Sequence, residues 1–313
     1  MSRKFTILGK SGSGKTCYLL AMYRKLRRGV AGYSISAQDD TLNKELSDMF
    51  NRLNNGQDQS RFPQTTDYVE TYPFNLNYAS RKIESFDWID YPGRITVDIT
   101  DEKYEQVVKT IEESSMLFIC VDGELLRSDD TKKTIEDKIE AIQDECAYDL
   151  NDFFAKYVEA NNKLPPIGII LTKSDLFMHD TNEEEIRVIL QEAFSPLFVA
   201  KNIRIGVISV TLGENIQDDN YSGEVDPVNI HLPIFMGIWC ALNDRIKEYT
   251  DKLAANRSST SDLQGKISDK NSRINSLTQN VSNLKQNINN LTQNINSMDL
   301  CYARRAGQFL LVA

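Results

Sequence analysis

The chain has 313 residues, 41% of them hydrophobic and 26% charged, which is apolar material for a sizeable core in roughly two domains; no apolar run approaches the roughly 20 residues of a membrane span. Five scattered cysteines (17, 120, 146, 240, 301) and two histidines, His179 and His231, give no metal-ligand spacing and no Ser-His-Asp pattern, so the expectation is a cytoplasmic chain with reduced thiols and no secretory signal before its first strand. The net charge of −9 is uneven: residues 251–313 carry eight basic and four acidic side chains, +4, against −13 for the first 250, which argues against a broad nucleic-acid surface.

In chain order, Phe5-Thr6-Ile7-Leu8 reads as a short buried strand, followed by Gly9-Lys-Ser-Gly-Ser-Gly-Lys-Thr16 and a helix over about 16–28. A second helix is predicted from Asp40 to Asn54, stopped by Asn54-Asn55-Gly56, and 57–66 reads as loop. Tyr72, Phe74, Leu76 and Tyr78 alternate with Pro73, Asn75 and Asn77, a strand with one polar face that Pro73 confines to a sheet edge. Lys82 to Asp90 returns beside it as a hairpin partner. Helices over 101–114, 130–161 and 182–194 alternate with the continuous apolar runs Met116–Val121, Ile167–Leu171 and Ile203–Val210. Continuous runs suit central parallel strands covered on both faces, so the alternation predicts a doubly wound α/β domain over 1–250. The charged run Asp129 to Glu145 reads as a solvated helix face, and Asp180 to Glu185 as an acidic helix start.

The pattern changes from Leu263. Ile267, Ile274, Val281, Ile288 and Ile295 recur every seven residues, with Leu263, Leu277, Leu284, Leu291 and Met298 at the other seam position and Lys270 as its polar break. This is a heptad repeat, predicted as a coiled coil over 251–300, with 301–313 as a tail. The same phase runs back through Leu253, Tyr249, Ile246 and Leu242. Arg257-Ser-Ser-Thr-Ser261 and Gly265, weak helix formers, mark a hinge. A β-branched residue at one seam position and Leu at the other favours two parallel strands. A homodimer is expected, with a separate coiled-coil protein as second choice.

The loop Gly9-Lys10-Ser11-Gly12-Ser13-Gly14-Lys15-Thr16 has the G-x-x-x-x-G-K-T spacing of a phosphate-binding loop, between a strand and a helix. Its three glycines let successive N–H groups point inward, and the following helix N-terminus at Thr16 and Cys17 favours phosphate. Lys15 would reach the β- and γ-phosphates and Thr16 would ligate Mg²⁺. Asp90-Tyr91-Pro92-Gly93 ends a strand with D-x-x-G, where Asp90 can hold the Mg²⁺ shell and the Gly93 N–H can sense a γ-phosphate. Thr172-Lys173-Ser174-Asp175 ends a later strand, and its carboxylate can accept the paired N–H donors of guanine, which adenine lacks. Ser209-Val210-Thr211 ends the last strand and can offer backbone N–H groups to the guanine O6.

These four stretches, in this order and each at a strand end, resemble the Ras-like GTPases of the translation-factor-related P-loop class over about residues 1–250. The resemblance implies a mostly parallel six-stranded sheet with one antiparallel edge strand, GTP/GDP and Mg²⁺ as ligands, and a switch threonine before that strand, Thr65 or Thr66, with Thr66 favoured as catalytic and metal-facing. Two departures stand out. Thr172 occupies the place of the usual Asn. Arg94 stands where Ras has a water-orienting Gln, so it either stabilises γ-phosphate charge or forms a surface ion pair. Arg61-Phe62-Pro63-Gln64-Thr65-Thr66 and Asp226-Pro227-Val228-Asn229-Ile230 with Pro233 also resemble bacterial double-GTPase and GTPase-associated conflict-system proteins. The reading is a GTP-binding switch with slow hydrolysis, stimulated by a partner or by dimerisation. Its alternatives are a structural coiled-coil protein with a degenerate nucleotide-holding head and a P-loop ATPase.

Overall fold

The computed structural model describes residues 3–310 except 57, 66–67, 94–100, 128–132, 162–163, 180, 200–202, 215 and 217–223. It divides into two units, Met1–Asp244 and Arg245–Ala313. The first holds strands β1 (Arg3–Leu8), β2 (Tyr33–Ala37), β3 (Glu70–Tyr78), β4 (Arg81–Asp90), β5 (Met116–Val121), β6 (Ile167–Leu171) and β7 (Ile205–Ser209). Its helices are α1 (Lys15–Arg28), α2 (Asp40–Asn55), α3 (Asp101–Glu113), α4 (Ile135–Ile142), α5 (Tyr148–Asn161), α6 (Glu183–Ala193) and α7 (Ser195–Val199). Helix α8 runs from Leu232 to Leu310 and carries the whole second unit.

Among the described residues the seven strands form one sheet in the order β2-β3-β4-β1-β5-β6-β7. Pairs β1–β4, β1–β5, β5–β6 and β6–β7 are parallel, and β3 runs antiparallel to both β4 and β2. The architecture is the GTPase-like, mostly parallel α/β fold, with seven strands rather than six. The added strand, β2, has one buried residue, Ile35, among Ser34, Ser36 and Ala37, too little apolar alternation to read as a strand in isolation.

Its presence moves β3 off the edge that Pro73 was expected to occupy. The proline is accommodated because β2 is short. Ala37 pairs with Phe74, and just beyond it the Gln38 N–H donates to the Pro73 carbonyl at 3.1 Å. Nitrogen and carbonyl of one strand residue point to the same side, so the missing N–H of Pro73 falls where β2 has already ended. Conversely β7, read as a central strand, is an edge strand, with Val207 39% exposed.

Two cores lie on the two faces of the sheet. Tyr18, Phe74, Trp88, Phe118 and Ile234 belong to one, packed from α1, α2 and the start of α8. Ile111, Phe153, Phe154, Ile189 and Leu197 belong to the other, packed from α3 to α7. Strands β5 and β6, buried at every residue, lie between them as expected of their continuous apolar runs. Asp39 starts α2 by accepting the Leu42 N–H, and Gly56 ends it through a bond to the Arg52 carbonyl. Helices α4 and α5 are joined by a π-helical turn, Gln143–Ala147. The charged run around α4 is not wholly solvated. Lys138 is 1% exposed and donates to Thr181 Oγ1 and Glu185 Oε1, both at 3.0 Å, which ties α4 to α6.

The turn between β3 and β4 places Ala79 (φ 44°) and Ser80 (φ 64°) in the left-handed region, the shape of a two-residue I′ hairpin turn that favours Asn-Gly. Left-handed backbone costs about 1–2 kcal/mol for an ordinary residue. Replacing the pair, Ala79→Asn with Ser80→Gly, should therefore raise stability by about 1 kcal/mol, read as a higher urea midpoint at unchanged slope.

Candidate functional site

The C-terminal ends of the parallel strands are where open α/β sheets hold ligands. A cavity of about 670 Å³ lies there. One end is walled by Ser11, Gly12, Gly14, Lys15, Thr16 and Cys17, the other by Thr172, Lys173, Asp175, Val210 and Thr211. The loop after β1 and the loops after β6 and β7, far apart in sequence, thus line one cavity.

The loop can be built residue by residue. Gly9 has φ 148°, and a Cβ there would lie 2.5 Å from the Cys120 carbonyl oxygen. Gly14 (φ 92°) turns the chain into α1. Lys15 is 8% exposed, and its Nζ donates to the carbonyls of Gly9 at 2.8 Å and Lys10 at 3.0 Å. Lys10 itself points elsewhere, in an ion pair with Glu145 of the π turn. Gly9, Lys10 and Ser13 shape the loop without lining the cavity. The Ser13 carbonyl accepts from Thr172 Oγ1 at 2.8 Å and from the Cys120 thiol at 3.1 Å.

Asp90, at the end of β4, is 1% exposed. Its Oδ2 accepts from Thr16 Oγ1 at 3.1 Å, while its buried Oδ1 has no partner. A hydroxyl, a carboxylate and an orphaned carboxylate oxygen fit a Mg²⁺ shell completed by phosphate and water. Among the described residues no group of three His, Cys, Asp or Glu could hold a metal ion, so such an ion would depend on the phosphates. Gly93 follows so close to the phosphate-binding loop that a Cβ would lie 2.0 Å from the Ser11 nitrogen. Any side chain there would force the two loops apart.

Burial pushes the Asp90 carboxyl up to about 6, against the pull of Lys15 and of the Thr16 hydrogen bond. In the folded chain this group keeps its proton to a higher pH than in the unfolded chain. Its contribution to stability is therefore fully present below its ordinary value near 4 and is lost as pH rises through about 6. Asp90→Asn should flatten that part of the stability profile, measured by urea unfolding of nucleotide-free protein at steps from pH 4 to 7.

At the other end, Asp175 Oδ1 accepts from Thr211 Oγ1, which in turn accepts from the Gly213 N–H at 3.0 Å. Lys173 adopts φ 51°, and its Nζ donates to Asp122 Oδ2 at 2.6 Å and Glu124 Oε2 at 3.3 Å. Ser209 does not line the cavity; its carbonyl accepts from Asn229 Nδ2 at 3.3 Å. Thr65 lines the cavity, whereas Thr66 and Arg94 lie outside the described residues.

The four strand-end motifs did not disclose other parts of the wall, among them Phe62, Pro63 and Gln64, then Glu124 and Arg127 after β5, and His179. The strand-end rule, applied to β5 as it was to β6, would have pointed to Glu124 and Arg127. Phe62 to Gln64 follow an unusual anchor. Arg61 is 1% exposed, its Nε donates to the Leu53 carbonyl at 2.8 Å, and its guanidinium lies over the Phe62 ring.

Comparison with known proteins gives three findings. No curated protein sequence matches the chain. Solved structures are similar at low identity, two among them as follows. The signal recognition particle receptor SRb-GTP/SRX complex from Chaetomium thermophilum is 13% identical over 67% of this chain and 91% of that one, with a TM-score of 0.39. The mammalian SRP receptor is 14% identical over 76% and 98%, with a TM-score of 0.40. A family model described as Double-GTPase 2 matches residues 5–220, more than half of the chain and every one of the four strand-end motifs. With that match, on a GTPase-like sheet whose strand ends enclose one cavity, the chain belongs to the Double-GTPase 2 family, and guanine-nucleotide binding comes with membership.

Proposed function

We propose that this chain is a GTP-binding switch with slow intrinsic hydrolysis, and that its second unit associates two copies. The observation that carries the nucleotide reading is the single cavity with Lys15 and Thr16 at one end and Asp175 and Thr211 at the other. Such a cavity grips phosphate and base at once. Asp175 favours guanine over adenine, which sets this reading above a P-loop ATPase.

In the proposed mechanism Lys15 leaves the loop carbonyls for phosphate oxygens. Thr16 and Asp90 would hold Mg²⁺, and the Gly93 N–H would report the terminal phosphate. Mg²⁺, when bound, neutralises charge that builds up on the phosphates. Asp90 would serve this role ionised, and a bound cation favours that form. With no Gln after D-x-x-G, Thr66 and Arg94 are the remaining candidates to act near the attacking water, and turnover is expected on the order of 10⁻³ per second or less.

The second unit supports association. Leu263, Ile267, Ile274, Leu277, Val281, Leu284, Ile288 and Leu291 are 52–62% exposed along α8, a stripe of two heptad positions open to water. Two copies of the chain would cover it. No helix among the described residues is long and apolar enough to cross a membrane. Burial pushes the Cys17, Cys120 and Cys146 thiols up to about 12, so they stay protonated near neutral pH.

The test combines mass and turnover. Sedimentation of the full chain should give a dimer at micromolar concentration, and Leu277→Asp with Leu284→Asp should give a monomer. Single-turnover hydrolysis should then rise with concentration for the parent and stay flat for the variant. Equal rates in dimer and monomer would remove the stimulation. A monomeric parent would remove the self-association.

A further inference from the structure

Helix α8 offers an apolar stripe to water before the second unit begins. Trp239 is 58% exposed and Leu242 44% exposed, while their neighbours Cys240 and Ala241 are 0% and 2% exposed. The helix thus buries one face in the first unit and turns Trp239 and Leu242 outward. Their numbers matter. Trp239 lies seven and fourteen residues before Ile246 and Leu253, and Leu242 lies seven before Tyr249. All five are 44–63% exposed. They are the same two seam positions that carry the heptads beyond Leu263.

We infer that Trp239 and Leu242 form the first heptad of the self-association seam, so that a second copy of this chain pairs through the GTPase unit's own stretch of α8 as well as through the distal coil. The inference rests on the self-association reading above. Three observations favour a second copy over a foreign helix. Seam positions filled by β-branched residues on one side and Leu on the other pack best in parallel pairs, and identical chains in register supply that match through the distal coil apart from Lys270. The charged flanks of the distal coil, Lys266, Arg273 and Lys285, would each face a neutral residue of an identical parallel partner, namely Asn271, Thr278 and Asn280. At these three flanks an identical partner meets no repulsion, whereas a foreign partner selected by charge would need acidic counterparts; Lys270, at the seam, would face its own copy and weakens the pair locally. Finally, a tryptophan at a seam position meets its own copy across the pair, an aromatic contact worth more than its area alone.

The seam is not continuous. Its positions at 256 and 260 are Asn and Thr, and Lys252 and Arg257 face one another across an identical parallel pair, so like charge parts the seam at the gap. The proximal run, Trp239 to Leu253, therefore pairs on its own five residues. Two heptads are weak alone, but a distal coil that already joins the chains makes their pairing intramolecular.

Disulfide trapping in the full chain tests this. In a parallel pair, like seam positions stand opposite one another, so a cysteine at either run can bond to its own copy. Trp239→Cys and Ile274→Cys, each in a Cys301→Ser background, are oxidised mildly and run on a non-reducing gel beside the background protein. The expected result is a cross-linked dimer from both variants and not from the background. Cross-linking of Ile274→Cys without Trp239→Cys would overturn the inference and leave the coil dimer standing. Failure of both, with a monomeric mass by sedimentation, would remove self-association itself. Should Trp239→Cys lose its helical circular dichroism, Leu242→Cys at the neighbouring seam position takes its place with the same two outcomes.

Discussion

Lys15→Ala should reduce GTP affinity by at least about a hundredfold, as roughly 3 kcal/mol of charge-assisted hydrogen bonding to phosphate is lost. Lys15 is the cation that the phosphate-binding loop turns into the cavity; Lys10, the loop's other lysine, is engaged with Glu145. Its ammonium is nearly buried and already held by the carbonyls of Gly9 and Lys10, so it is pre-positioned beside the phosphate path. Removing it takes away the cation that the loop itself supplies against several negative charges. Fluorescent-GTP titration measures the loss, with thermal melting to show that the variant folds. Affinity within threefold of the parent would sink the assignment of this loop as the phosphate grip.

Asp175→Asn should lower GTP affinity about ten- to hundredfold, since an unmatched pair at a desolvated site costs of order 1–3 kcal/mol. It should also admit xanthosine triphosphate. The parent's Asp175 Oδ1 accepts from Thr211 Oγ1. A carboxylate oxygen has two acceptor sites, so one remains on Oδ1 and two on Oδ2 for the two guanine donors. In the variant, the amide oxygen keeps the Thr211 bond, and the amide NH₂ faces the base. That donor repels guanine's N–H groups and matches the C2 carbonyl of xanthine. Competition titrations with GTP, ATP and xanthosine triphosphate read the exchange. If the parent binds ATP as tightly as GTP, Asp175 does not read the base.

The parts of this site that were legible in the sequence are those whose chemistry demands a local spacing. The loop from Gly9 to Thr16 needs its glycines, lysine and threonine within eight residues, so the motif survives without any alignment. Asp90 and Gly93 are three apart at a strand end, and Thr172 and Asp175 likewise. Strand β2 was illegible because four of its five residues are only partly buried, and Ser34, Ser36 and Ala37 are as common in turns as in strands. Pro73 misled for a related reason. The rule against proline in a central strand assumes a neighbour on both sides along the whole length, and β2 ends just short of it. Lys138 was read as solvated because the helix period cannot tell which face a second helix covers; Glu185 comes from α6 and Thr181 from just before it, more than forty residues later. Glu124, Arg127 and His179 reach the cavity only through the tertiary fold, and no short spacing constrains them.

The Ser13 carbonyl, gripped by both Thr172 and Cys120, gives the two halves of the site a common fulcrum. Thr172 begins the segment that carries Asp175, and Ser13 lies two residues before Lys15. A displacement of the base-reading segment is therefore transmitted to the phosphate grip through one hydroxyl, and the reverse holds equally. In the proposed site, affinity for the base and affinity for the phosphates would then be coupled. Substitutions at Asp175 and Lys15 would show a coupling energy although their side chains need never touch, and Thr172, the residue that departs from the usual Asn, sets how stiff that coupling is.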